Sequence, residues 1–183
     1  MAVKVAARHP GRVRGLLTLA GFARPRTALW LNLEMWASLH ARRDERLTTL
    51  LTSLSFSEEY LARLTPQRVR QLTARFAGSA PGIAQQIAFA LGIDVRGDLP
   101  SVAAPALVVA SPGDRMVAPE HSLELADAIP GARLTAVAGG HAAAIEEPGR
   151  TLEILTGFLH DIRRHHREVH PRPSWHRNRS CLR

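Results

Sequence analysis

The chain has one cysteine, Cys181, close to its C-terminus. No intrachain disulfide can brace the fold, and a reducing compartment such as the cytoplasm is the expected setting. Nothing around Cys181 has the character of a packed site, so a thiol nucleophile is not expected there. Long apolar runs are missing as well: no window approaches the roughly 20 consecutive apolar residues that a membrane-spanning helix requires. Arg8, Arg12 and Arg14 interrupt any apolar core of an export signal. Neither G-x-G-x-x-G nor a Walker loop occurs, so no nucleotide cofactor, and no other cofactor, is expected.

What is present has globular proportions. Apolar residues make up 45% and charged residues 22% of 183, enough for one domain with a substantial core or one domain carrying an insertion. The net charge of +8 would suggest a nucleic-acid partner if it covered the body of the chain. It does not: His160 to Arg183 hold seven arginines against two acidic residues, +5 of the total. Residues 163–183 therefore read as a basic tail too poor in apolar residues to fold stably, and nucleic-acid binding is not the expected function. His166 and His170 in that tail have the i, i+4 spacing of a helical metal pair. With no third ligand of fixed geometry, no metal site is expected.

Hydrophobic periodicity changes twice along the chain. Met1 to Arg8 reads as part of a helix stopped by His9-Pro10-Gly11, and Arg12 to Ala20 as a buried strand closed by Gly21. From Ala23 to Leu99 the pattern is helical. Leu47, Leu50, Leu51 and Leu54 form one stripe, Thr65-Pro66 is a capped helix entry, and Ile83, Ile87, Ala90 and Leu91 form another stripe. Leu29, Trp30, Leu31, Leu33, Met35 and Trp36 encircle their helix, which predicts cover on several sides by protein or by a ligand. Strands return at Ala106–Ala110 and Arg133–Val137. They alternate with helices near Glu120–Ile129 and Gly149–Ile162. Strand and helix in alternation with short links predict parallel strands joined by right-handed crossovers.

In such sheets functional groups gather beyond the carboxyl ends of the strands. Asp114 lies four residues past Ala110, and His141 four past Val137, so both fall at that edge. A carboxylate beside an imidazole fixes its tautomer and stabilises the imidazolium formed on proton uptake, while Gly139-Gly140 permits a tight turn ahead of the ring. His9, His40 and His121 read as solvated or capping groups.

These residues carry a resemblance. Pro105-Ala-Leu-Val-Val-Ala-Ser-Pro-Gly-Asp114-Arg-Met-Val, Gly139-Gly-His141 with Glu146-Glu-Pro148, and Ala6-Ala-Arg-His-Pro-Gly-Arg-Val13 occur in that family's order and spacing. The chain from Met1 to Asp161 resembles the C-terminal half of an α/β-hydrolase fold enzyme. The resemblance implies a partial α/β-hydrolase core, residues 1–22 and 100–162, with three parallel strands flanked by helices. It implies an all-helical cap insertion over 23–99 that roofs a substrate pocket. Asp114 would be the acid and His141 the general base of a Ser-His-Asp mechanism acting on a small ester, lactone or similar acyl substrate. Trp30, Met35, Trp36 and Met116 are the candidate substrate-binding residues, although the first three read more readily as insertion core than as pocket. The family's nucleophile sits in a G-x-S-x-G elbow, and no such motif occurs in these residues. The family pattern puts that serine roughly five residues before Met1, together with five further strands, so Met1 is expected to be an internal start and the chain alone inactive. An unpartnered edge at the first strand would then be free for self-association or for pairing with another chain.

Overall fold

The computed structural model describes residues 1–77 and 81–169, with side chains described through Arg164. Helix α1 (Ala2–Arg8) and a 3-10 turn (Pro10–Arg12) lead to strand β1 (Leu16–Leu19). Five helices follow: α2 (Thr27–Ala41), α3 (Arg46–Ser55), α4 (Glu58–Ala62), α5 (Pro66–Ala74) and α6 (Ile83–Gly92). A second 3-10 segment (Arg96–Ser101) returns the chain to β2 (Ala106–Ala110). Then come α7 (Glu120–Ala128), β3 (Arg133–Ala136), α8 (Ala143–Glu146) and α9 (Pro148–Val169). The three strands form one parallel sheet in the order β1-β2-β3, with Leu16 opposite Ala106 and Leu107 opposite Arg133.

The uninterrupted apolar run of β2 is explained by its central place, since all five of its residues are buried and both faces are covered. On one face Leu16, Ala106 and Val108 pack with Val3 and Ala6 of α1, Leu125 of α7, and Leu99 and Val102. On the other, Leu107 and Val109 meet Val137, Ala143 and Phe158. A third cluster belongs to the helical segment: Leu29, Leu33, Leu51 and Ile87, joined by Met116 and Val117 from the loop after β2. That cluster is what fastens the helices to the sheet beside Asp114.

Local chemistry sets the helix starts. Thr65 accepts a hydrogen bond from the Arg68 amide with Pro66 in the first turn, and Ser57 accepts one from Tyr60. Two Asp-x-Arg clasps mark the chain before α3 and before the second 3-10 segment. Arg46 and Arg96 each hold the aspartate two residues earlier through guanidinium and amide, drawing the carboxyls of Asp44 and Asp94 down to about 2. Both clasps are solvent-exposed, so they organise the local chain more than they stabilise the fold.

The fold departs from the periodicity in three places. The first strand is only Leu16–Leu19, because Pro10–Arg12 coils into a 3-10 turn closed by the Val13 amide on the Pro10 carbonyl. Gly15 then passes beneath α9, where a Cβ would stand 2.3 Å from Cδ1 of Ile162. Helix α9 continues to Val169, seven residues beyond Ile162. The rest of the basic tail, with His170 and Cys181, lies outside the described residues. Helix α2, finally, is covered on one side only. Leu29 and Leu33 are buried and Trp36 partly so, whereas Trp30, Leu31 and Met35 are 43%, 55% and 52% exposed.

Candidate functional site

The loop after β2 turns sharply at Pro112-Gly113, and the Asp114 amide closes the turn on the Ser111 carbonyl at 3.1 Å. The Asp114 carboxylate is buried and fully directed. Its Oδ1 accepts hydrogen bonds from the amides of Met116 (2.9 Å) and Val117 (2.8 Å), while Oδ2 lies 3.0 Å from Nδ1 of His141. With one oxygen occupied by backbone donors, the other is left for the imidazole. The ring is about one-third exposed, whereas the aspartate side chain is almost completely enclosed. Holding the Nδ1 proton against a carboxylate leaves Nε2 as the basic nitrogen, the arrangement required of a general base.

The loop after β3 is locked on three sides. The Gly113 amide donates to the Gly139 carbonyl at 3.0 Å, which joins the acid loop to the histidine loop. The Ala142 amide donates to the Ser55 carbonyl at the end of α3 at 2.7 Å. Glu146 accepts from the Gly140 amide and the Ser57 amide, both at 2.9 Å, and from the Ser57 hydroxyl at 2.5 Å. Glycine is required twice here, for different reasons. Gly139 has φ +110, and a Cβ on Gly140 would stand 2.7 Å from the Ser57 nitrogen.

Of the residues expected at a site, Asp114 and His141 are brought together. Met116 is buried in the helical cluster with Leu29 and Leu33, and Trp36 packs partly against it. Trp30 and Met35 stand on the open side of α2. The helical segment nonetheless reaches the acid loop: Asn32 Nδ2 donates to the Arg115 carbonyl at 3.3 Å, and the Arg115 guanidinium donates to the Ser53 carbonyl at 2.5 Å. A cavity of about 840 Å³ lies between α2, α3, α6 and the residues Phe76 and Ala77 after α5, and neither Asp114 nor His141 lines it. Among the described residues no serine hydroxyl is bonded to His141; Ser57 donates to Glu146, and the Ser111 hydroxyl is buried without a partner.

His121 corrects the expectation of a solvated ring. It is 1% exposed, tilted against Phe22 with ring centroids 5.9 Å apart, and its Nδ1 has no partner. Burial pushes its pKa below the usual histidine range. The other residue that sequence reasoning passed over is Glu146. Its presence in the Glu-Glu-Pro run was visible, but its partner Ser57 lies 89 positions away, and no local pattern points there. The one legible hint was the Gly139-Gly140 pair, which announces a close backbone approach without naming what approaches.

No protein-family model matches the chain. Among curated proteins, the pyrrolizixenacetamide deacetylase of Xenorhabdus hominickii is 26% identical over 162 residues, covering 87% of this chain and 61% of the deacetylase. Among solved structures, an α/β-hydrolase enzyme from a Medee basin deep-sea metagenome library superposes with a TM-score of 0.74 at 20% identity, over 86% of this chain and 60% of that one. The enol-lactonase from Burkholderia xenovorans superposes with a TM-score of 0.68 at 25% identity, again over 86% and 60%. The parallel sheet with its flanking helices is thus part of an α/β-hydrolase fold, the C-terminal part. The chain spans about three-fifths of the length of the relatives it matches. No helix among the described residues is long and apolar enough to cross a membrane.

Proposed function

We propose that this chain supplies the acid and the base of a serine-type acyl hydrolase. His141 is the general base and Asp114 the residue that orients it. The serine and its oxyanion donors come from residues outside these 183. The observation that carries the reading is the contact of 3.0 Å between Asp114 Oδ2 and His141 Nδ1, made at the carboxyl edge of a parallel sheet, with Oδ1 held by two amides. In the complete site His141 Nε2 takes the proton of the serine hydroxyl as Oγ attacks the acyl carbon. It then returns that proton to the leaving group, and Asp114 stabilises the imidazolium in between.

A small ester, lactone or related acyl compound is the substrate class that suits this chemistry. The printed names of the similar proteins, a deacetylase and an enol-lactonase, fit it. Helices α2 to α6 act as the cap, and Trp30, Met35, Trp36 and Met116 contribute to the pocket wall once the remaining two-fifths of such a fold is in place. The chain by itself does not hydrolyse acyl substrates through this mechanism. The test is to express it in frame behind a segment bearing a G-x-S-x-G elbow and to follow p-nitrophenyl acetate hydrolysis. Activity should appear in the longer protein and fall by about 10⁶-fold in His141→Ala. Retention of full activity in that variant sinks the assignment.

A second reading has its own observation. β1 pairs only with β2 among the described residues, and Leu152, Leu155 and Leu159 of α9 are 61%, 39% and 51% exposed. On the helix these leucines flank the buried Phe158 and the partly buried Ile162, which sit over Gly15 just before β1. The opposite flank carries Asp161, bonded to Arg133 of β3. An open strand edge and an apolar helix flank on the same side form a surface on which another polypeptide can pair. By this reading the chain is an interaction module. Size-exclusion chromatography with the ester assay in the same fractions separates the two readings.

A further inference from the structure

We infer that Glu146 is a positioning residue through which the α3–α4 turn sets the placement of His141; this rests on the reading of His141 as general base. Three hydrogen bonds converge on its carboxylate. Oε1 accepts from the amides of Gly140 and Ser57, and Oε2 accepts from the Ser57 hydroxyl. Gly140 immediately precedes His141, so the carboxylate holds the peptide from which the ring projects. Ser57 is 3% exposed and is the N-cap of α4, its Oγ also accepting from the Tyr60 amide. One side chain therefore fastens the base to the start of a helix in the α2–α6 segment.

The backbone around this carboxylate has no slack. Cβ atoms on Gly139 and Gly140 would stand 2.9 Å from Glu146 Oε2 and 2.7 Å from the Ser57 nitrogen. The Ala142 amide reaches the Ser55 carbonyl at 2.7 Å, so one neighbour of His141 is bonded to this turn directly and the other, Gly140, through Glu146. A carboxylate accepting from two amides and a hydroxyl forms charge-assisted bonds stronger than neutral ones. Removing it leaves two amides facing a partly buried void. The histidine loop then keeps its bonds at Gly139 and Ala142 but loses the one at Gly140, and the ring itself is held to Asp114 by a single hydrogen bond. A catalytic base must be held within about half an ångström to work.

The test uses the 183-residue chain, labelled with ¹⁵N-histidine, and reads the His141 tautomer by long-range proton–nitrogen correlation, with His141→Gln assigning the signal. The wild-type ring should be the Nδ1–H form with its proton in the Asp114 hydrogen bond. Glu146→Ala should lose that proton signal, and Glu146→Gln, which keeps an acceptor for the Gly140 amide, should restore most of it. Val3→Ala, a core truncation in the separate cluster beneath α1, lowers the melting temperature without touching either loop and should leave the signal intact. If Glu146→Ala does not fold, Ser57→Ala is read in its place and should broaden the same resonance. A wild-type ring without the Nδ1–H form overturns the reading of His141 itself. A normal wild-type signal that persists in Glu146→Ala, or in Ser57→Ala where that variant is the one read, overturns the role of Glu146 alone.

Discussion

Gly140→Ala isolates the close approach between the histidine loop and the end of α3. A methyl group there would meet the Ser57 nitrogen at 2.7 Å, the Phe56 carbonyl carbon at 2.8 Å and the Ser55 oxygen at 2.8 Å, every one of them backbone. Ordinary contacts for a Cβ begin near 3.4 Å, so the two segments must separate by roughly 0.6 Å, with no flexible side-chain end to give way. The turn cannot rotate out of the way cheaply, because Ala142 is bonded to Ser55 and Glu146 to both Gly140 and Ser57. Overpacking of this kind costs about 1–3 kcal/mol, and weakening the Glu146 bonds moves the expectation to the upper part of that range. For a chain of this length the loss is about 4–12 °C in melting temperature. Differential scanning calorimetry against Gly11→Ala supplies the control, since a Cβ at Gly11 meets nothing within 4 Å. Equal, small shifts in the two variants would refute the claim that this approach is tight.

Gly157→Ala should move the other way. The residue lies inside α9, is exposed, and has open space where a Cβ would go, so the helix should gain about 0.5–1 kcal/mol, measurable as a higher urea midpoint. His121 predicts a pH dependence. Its folded-state pKa is depressed, so at pH values above the unfolded histidine value of 6.5 both states are neutral and nothing is lost. As pH falls below 6.5 the unfolded chain takes up a proton that the buried ring resists, and stability declines. Urea unfolding at pH 7.5, 6.5 and 5.5 should show that decline in the wild type and a flatter profile in His121→Leu; parallel profiles would contradict the burial.

Regularities that repeat within a dozen residues were legible in the chain. β2 showed as an unbroken apolar run because both faces of the central strand are covered, and Thr65-Pro66 showed as a helix entry because capping is local. Asp114 and His141 were placed at one sheet edge by counting from strand ends, and their hydrogen bond shows that the counting sufficed to bring them together. What stayed hidden was set by distant partners. His121 stands among Glu120 and Glu124 and reads as solvated; Phe22, about a hundred positions earlier, is what covers it. The aromatic and aliphatic residues of α2 promised cover all round, yet only the side bearing Leu29 and Leu33 meets α3 and α6. Trp30 and Met35 carry no local mark that separates a core residue from an uncovered one. β1 was overestimated because Val13 is apolar enough for a strand, while the 3-10 turn before it is dictated by Pro10.

The two residues after Arg115 belong to two structures at once. The amides of Met116 and Val117 grip Oδ1 of Asp114, while their side chains are buried with Leu29, Leu33, Leu51 and Ile87. Repacking that cluster therefore pulls on the same peptide units that hold the carboxylate. Trp30, Leu31 and Met35 stand outside it on the exposed side of α2, where replacement leaves the hold on Asp114 untouched. One helix, α2, thus presents a side that is mechanically coupled to the Asp114 loop and a side that is not.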